Sequence, residues 1–369
     1  MTPPVAARLN LPDFPWDNLA GAARRAREYP GGAVDLSIGT PVDPVADVVR
    51  DALASVSALP GYPAAHGTPE LRRIAVASLA RRHGVTDVPA EAVLPTVGSK
   101  ELVAWLPTLL GLGPGDVVAL PRLAYPTYEV GARLAGATAV RLADDEPAAP
   151  GTRLRWLNSP SNPTGDVVSA GVLADTVRQA REIGSVVASD ECYLALGWEA
   201  QPVSVLHPQV SGGDHRGLLA VHSLSKSSNL AGYRAGFVTG DPELIAALLA
   251  VRRHAGMIVS RPVQQAMVAA LSDDTHLAQQ RNRYARRREL LRPALDRAGL
   301  TVHKSQGGLF LWCTAGEPCW DTVARLAELG VLVAPGEFYG PTGDRHVRVG
   351  LTATDEQIGI AVQRLAALP

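Results

Sequence analysis

The sequence predicts an α/β protein: a mainly parallel sheet with helices on both faces, followed by a smaller α+β unit. Three observations carry this. The chain has 369 residues, more than one small core organises, so two units are expected. Short apolar runs at 117–120, 139–142, 154–157, 186–189 and 218–221 alternate with helical stretches at 129–135, 170–183 and 243–253. Such alternation builds parallel sheets covered on both faces. Finally, Asn158-Ser-Pro-Ser-Asn-Pro-Thr-Gly165, Asp190-Glu-Cys-Tyr193 and Ser223-Leu-Ser-Lys226 each follow an apolar run. Ligands of such sheets sit at the carboxyl ends of strands.

In chain order, residues 1–34 read as a Pro-rich arm and a helix at 19–28. Asp35-Leu-Ser-Ile-Gly-Thr-Pro41 is a turn segment, in which Gly39 permits close approach of backbone to a ligand. A helix at 44–59 and a loop, Gly61 to Gly67, follow; Tyr62 in that loop reads most simply as a packing aromatic. Thr68 caps the next helix with Pro69 at its first position. Gly98, Ser99 and Lys100 then open a helix marked by Leu102, Val103, Leu106, Leu109 and Leu110. Free N–H groups and the dipole at a helix start favour phosphate, although many helices begin with Gly-Ser.

After the alternating region, 264–299 reads as one long connecting helix. Its arginines form a solvated face interleaved with Leu290, Leu291 and Leu295. Strands at 309–313, 331–334 and 347–350, with helices at 320–329 and 355–368, complete a compact α+β unit. The division expected is 1–34 packing with the small domain, 35–256 as the large domain and 257–369 as the small C-terminal domain.

Composition narrows the function. The net charge of −1 offers no basic excess for nucleic acid or a membrane surface. Cys192, Cys313 and Cys319 form no CxxC pair and leave an odd count, which fits a reducing compartment. Arg8, Asp13 and Asp17 interrupt any signal-peptide core. The longest apolar stretch, 102–112, contains Pro107 and is too short to span a bilayer. The expected compartment is the cytoplasm.

Of 35 basic residues only Lys100, Lys226 and Lys304 are lysines. A guanidinium stays protonated, whereas a lysine amine of lowered pKa can bond an aldehyde. Lys226 sits between the apolar runs 218–221 and 236–240, among hydroxyls and near Arg234. The plainer reading is a surface lysine in an arginine-rich chain. With pyridoxal phosphate in the cleft, each polar motif acquires a task. Lys226 bonds the aldehyde, and Asp190 holds a proton on the pyridine nitrogen. Asn162 and Tyr193 hydrogen-bond the ring oxygen. Gly98, Ser99, Lys100, Ser223, Ser225 and Arg234 cup the phosphate. Tyr125 stacks on the ring, and Arg348 grips a carboxylate. Each has a duller alternative: a cap for Asp190, a turn for Asn162-Pro163, a surface charge for Arg348.

These motifs resemble the class I/II aminotransferases of PLP fold type I. The resemblance rests on Asn162-Pro163-Thr164-Gly165, Asp190 with Tyr193, Ser223-Leu-Ser-Lys226 with Arg234, and Arg348. It covers about Asp35 to the C-terminus. It implies a homodimer with shared active sites, in which Tyr62 reaches the neighbouring subunit's phosphate. It also implies that the Gly39 backbone approaches the substrate and that Arg348 binds the α-carboxylate, with Lys226 acting as general base at Cα. Leu11-Pro-Asp-Phe-Pro-Trp-Asp17, Gly98-Ser-Lys-Glu-Leu-Val-Ala-Trp105 and Val333-Ala-Pro-Gly-Glu-Phe-Tyr-Gly340 are among stretches similar to the N-succinyldiaminopimelate aminotransferases of lysine biosynthesis. That likeness implies amino-group exchange between glutamate/2-oxoglutarate and N-succinyl-2-amino-6-oxopimelate. Arg261 departs from the small residue expected there. Arg122, Arg261 and Phe338-Tyr339 are candidates for the distal substrate arm. Alternatives are another amino-acid aminotransferase or a β-lyase on the same fold. A dehydrogenase lacks its G-x-G-x-x-G turn, since Gly111-Leu-Gly113 runs into Pro114.

Overall fold

The computed structural model describes residues 11–367. A first short strand, β1 (Val34–Asp35), precedes the main sheet. That sheet contains β2 (Val93–Val97), β3 (Val117–Pro121), β4 (Thr138–Leu142), β5 (Thr152–Asn158), β6 (Val186–Asp190), β7 (Leu218–Ser223) and β8 (Ala235–Gly240). Their order is β2-β8-β7-β6-β5-β3-β4. The run from β7 to β4 is parallel throughout. β8 is antiparallel to both of its neighbours, so the sheet is mixed but mostly parallel. Leu218 to Val221 are all buried, as a strand covered on both faces requires.

β2 was not among the expected strands. Pro95 lies in its middle, and proline ordinarily argues against a strand. β2 is an edge strand of the sheet, where a missing N–H is tolerated.

The expected single helix over 264–299 is two helices, Arg261–Ser272 and Thr275–Arg297. The chain breaks at Asp273, whose carboxylate accepts from the His276 N–H at 2.8 Å. The two pieces also serve different cores. Ala266, Met267, Ala270 and Leu271 pack into the core around the main sheet. Tyr284, Leu291 and Leu295 pack into the second. We propose that the chain divides after Ser272 rather than at residue 256.

The second core covers a four-stranded antiparallel sheet, formed by β9 (Thr301–His303), β10 (Phe310–Thr314), β12 (Ala334–Pro335) and β13 (Val347–Gly350), in the order β12-β13-β10-β9. The expected strand at 331–334 splits, because β11 (Val331–Leu332) pairs in parallel with β1 instead. β1 therefore lies with the C-terminal unit, and the chain crosses to the large sheet through residues 36–46. The helix Ala20–Glu28 rests on the helix Cys319–Glu328, with Leu19, Ala26, Ala327 and Leu332 between them. The last helix, Asp355–Leu365, opens with a capping box of Thr354 and Gln357. The first ten residues of the arm, and Leu368, lie outside the described residues. Among the described residues no helix is long and apolar enough to cross a membrane.

Candidate active site

Asn158, Asp190 and Ser223 are the last residues of β5, β6 and β7. They form the floor of a cavity of about 830 Å³, whose far wall carries Phe310 and Arg348 from the small sheet. Parallel strands end on one side of a sheet, so register alone brings these side chains together.

Asp190 is buried. Its carboxylate accepts from the Tyr128 hydroxyl at 2.9 Å and from the Cys192 N–H at 3.3 Å. Burial pushes its pKa up, and these two bonds pull it back. Tyr128 is fully buried and stacks on Trp156, with ring centroids 4.8 Å apart. Its own pKa is held well above the usual value by burial, so it acts as a donor. The Asn158 amide donates to the Asp190 carbonyl at 2.9 Å, and its oxygen accepts from the Asn162 N–H at 2.7 Å. Sequence reasoning missed the roles of both Tyr128 and Asn158. An aromatic on an apolar helix face reads as core, and a strand-end asparagine reads as a turn.

Lys226 sits in the one-turn helix Leu224–Ser227, directly after β7. Its ammonium donates to the Gly39 carbonyl. Burial lowers its pKa to about 8, and the Arg348 and Arg234 guanidiniums push in the same direction. At that value about a tenth of the amine is unprotonated at pH 7, far more than for an ordinary lysine.

Ser99, Lys100, Ser223, Ser225 and Arg234 line the same cavity. Burial, then Arg234, lowers the Lys100 pKa. Gly98 does not line it. Gly98 has φ +72°, and a Cβ there would lie 2.3 Å from Arg234 Nη2. Glycine at 98 thus lets the guanidinium lie against the helix start.

Arg348 is buried. It donates to Asn162 Oδ1 at 2.8 Å and to the Ser37 carbonyl at 2.6 Å. Its guanidinium lies 3.8 Å from the Phe310 ring centroid and 5.0 Å from that of Tyr339, close enough for cation–π attraction. Nε has no partner among the described residues. Tyr193 meets Phe310 edge-on at 5.9 Å, and Tyr125 meets Tyr128 edge-on at 5.8 Å. Burial raises both phenols.

Of the residues singled out in the sequence, Gly39, Ser99, Lys100, Tyr125, Asn162, Asp190, Tyr193, Ser223, Ser225, Lys226, Arg234 and Arg348 line the one cavity. Tyr62 does not; it is 99% exposed. Arg261 is exposed at the first turn of its helix. Arg122 lines a separate crevice of about 320 Å³ and pairs with Glu146 at 3.1 Å. Phe338 and Tyr339 pack behind the cavity on Trp16, with centroids 5.4 and 6.5 Å away. The mouth is instead lined by Leu11, Phe14, Trp16 and Ile38, which sequence reasoning did not place there.

The residues present fit a pyridine ring carrying an aldehyde and a phosphate. A buried carboxylate, a lysine of lowered pKa and a cluster of hydroxyls with a guanidinium face one cavity. The family description "Aminotransferase class I and II" matches residues 32–365. The chain belongs to the class I and II aminotransferases. This aminotransferase is 62% identical over 359 residues to "Probable aminotransferase Rv1178" of Mycobacterium tuberculosis, covering 96% of this chain and 85% of that protein. It is 58% identical over 358 residues to "4-dedimethylamino-4-oxo-anhydrotetracycline transaminase OxyQ" of Streptomyces rimosus, covering 96% and 99%. Among solved structures it resembles N-succinyldiaminopimelate aminotransferase from Mycobacterium tuberculosis, with a TM-score of 0.85, 27% identity and coverage of 96% and 97%. The fold is that of the pyridoxal-phosphate-dependent aminotransferases, with a mixed, mostly parallel central sheet.

Proposed function

We propose that this aminotransferase moves an amino group between glutamate/2-oxoglutarate and an oxo-acid, using the cavity above β5, β6 and β7. The observation that carries this is the placing of Lys226, Asp190 and Arg348 in one cavity. When bound, pyridoxal phosphate supplies an aldehyde for the amino group and a ring that takes up electrons from Cα. Lys226 would hold the aldehyde end and would take the Cα proton of the substrate; its lowered pKa suits a general base. Asp190 holds a proton at the ring nitrogen, oriented by Tyr128. Asn162 and Tyr193 donate to the ring oxygen. Ser99, Lys100, Ser223, Ser225 and Arg234 hold the phosphate, and Gly98 makes room for Arg234. Tyr125 covers a ring face. Arg348 fixes the α-carboxylate beside the Gly39 backbone. The exposed Tyr62 is assigned to the phosphate of a second copy, in a homodimer with shared sites. Three cysteines without disulfide partners fit the cytoplasm.

For the acceptor, the motifs at 98–105 and 333–340 support N-succinyl-2-amino-6-oxopimelate, and so lysine biosynthesis. One observation favours a second reading. The mouth of the cavity is apolar and aromatic, and OxyQ, at 58% identity, is named for an oxo-anhydrotetracycline. A ring-bearing oxo compound fits such walls better than a second carboxylate does. The test is a glutamate-driven assay against a panel holding both acceptors, followed by 2-oxoglutarate release. Absence of 2-oxoglutarate with every acceptor rejects glutamate-driven transamination, and release of ammonia together with an oxo-acid from a β-substituted amino acid supplied alone identifies a lyase.

A further inference from the structure

The helix Thr275–Arg297 binds the turn that carries Lys226 through three side chains. His276, Gln280 and Tyr284 are spaced four apart and so share one helix face. All three are buried. His276 Nε2 lies 2.8 Å from Ser228 Oγ. Gln280 Oε1 accepts from the Asn229 amide at 2.9 Å. The Tyr284 hydroxyl donates to the Lys226 carbonyl at 3.0 Å. Each rung has its own support. Asp273 lies 2.7 Å from His276 Nδ1 and orients the ring so that Nε2 meets Ser228. Gln280 donates to Asp43 at 2.8 Å, and Arg287 reaches the same carboxylate at 2.6 Å. Asn229 has φ +56°, a left-handed conformation that asparagine adopts more readily than most residues. Its amide also donates to the Pro44 carbonyl at 3.2 Å.

We propose that His276, Gln280 and Tyr284 are positioning residues for Lys226. They touch neither cofactor nor substrate. They fix the backbone of 226–229, so that the amine moves only through its own side-chain torsions. Through Asp43, the same helix anchors the segment 37–44. That segment gives its Gly39 carbonyl to the Lys226 amine and its Ser37 carbonyl to Arg348. The base and the carboxylate grip thus share one frame. The inference rests on the proposed role of Lys226. A rival account makes the helix a packing element only, since Tyr284 belongs to the second core in any case.

Tyr284→Phe separates the two, because it keeps the ring and removes the hydroxyl. In the holoenzyme, kcat for the glutamate half-reaction is expected to fall about 3- to 10-fold with KM unchanged, the size of one hydrogen bond made to hold the reacting group. In the cofactor-free protein, amides of residues 226–230 are expected to exchange with deuterium about threefold faster. Ser228→Ala gives a second reading at another rung. The double variant is expected to lose less than the product of the single losses, because both act on one turn. Unchanged kcat and unchanged exchange, with only a lower Tm, overturn the proposal. A wild-type enzyme that takes up no cofactor sinks the proposed function instead, and the exchange measurement still decides the ladder.

Discussion

The floor of the cavity and its mouth are built in opposite ways. The floor is polar and buried, and it belongs to the sheet: Asn158 stands beside Asp190 in register, and Asp190 beside Val221. Side chains set by a hydrogen-bonded ladder have little freedom. The mouth is apolar and partly open. Leu11, Phe14 and Ile38 are exposed, Phe14 to 56%, and they come from an arm and a loop. The Trp16 ring, tilted against Phe338, is the main visible anchor of that arm. Reaction chemistry needs the first kind of construction, because reacting atoms must be held closely. Selection among acceptors tolerates the second. The two regions should therefore fail differently when altered.

Lys226→Ala tests the floor and carries the largest effect. Turnover is expected to fall on the order of 10⁴-fold or more, as for other removed nucleophiles. Borohydride should no longer fix the cofactor to the chain, while circular dichroism stays native. Transamination near the wild-type rate in this variant would falsify the assignment of the floor.

Phe14→Ala tests the mouth. If the arm selects a ring-bearing acceptor, kcat/KM for that acceptor falls about 10-fold, the size expected from losing one aromatic contact. The value for glutamate should change less than about twofold. An equal loss for both substrates would mean that the mouth and floor are not separable. A loss confined to the succinylated acceptor would return the choice to the lysine-biosynthetic reading.

The same contrast explains what was legible in the sequence. Asp190, Asn162 and Ser223 stood out because a polar residue ending an apolar run has few structural uses. Their gathering follows from strand direction, which alternation foretells. The mouth was illegible because its walls meet only through tertiary packing, and Phe14 or Trp16 alone looks like ordinary core. Gly98 was legible as a helix start. Its grouping with Arg234 at one phosphate was legible too, but their direct contact was not, because residues that share a ligand need not touch each other. The break after Ser272 was hidden for a related reason: helical spacing continues across Asp273, and the break shows in its extended backbone and its bond to the His276 N–H.

A smaller effect is expected beneath the floor at Tyr128. Tyr128→Phe leaves the ring stacked on Trp156 and removes the hydroxyl from Asp190. Losing a donor raises the Asp190 pKa further, which weakens its hold on a protonated ring. We expect a loss of about fivefold in kcat and a shifted pH dependence of the bound cofactor's absorbance. Unchanged absorbance across pH would show that Asp190 does not need this donor.

The smallest effect on activity, and a distinct one on stability, is expected from Glu191. Its carboxyl is buried behind Asp190 and accepts from the Val205 N–H at 2.7 Å; Oε2 has no hydrogen-bond partner among the described residues and lies 3.8 Å from His222 Nε2. Burial raises its pKa from 4.5 to about 7. Burial, with His83 nearby, lowers that of His222 from 6.5 to about 3. The two groups act on stability with opposite signs. Between about 4.5 and 7 the folded chain holds the Glu191 proton more tightly than the unfolded chain does. Its contribution is therefore full at low pH and is lost as pH rises. His222 binds its proton less tightly when folded, so its contribution is full above 6.5 and is lost as pH falls towards 3. Over the shared window the slopes cancel, and the wild type should be nearly flat. Glu191→Gln removes one slope and exposes the other. The unfolding free energy of that variant in urea should fall with acidification below pH 6.5, by about 1.4 kcal/mol per pH unit at most, while glutamate turnover at neutral pH stays near wild type. Parallel pH curves for the two proteins would show that this buried carboxyl does not change its charge within the window.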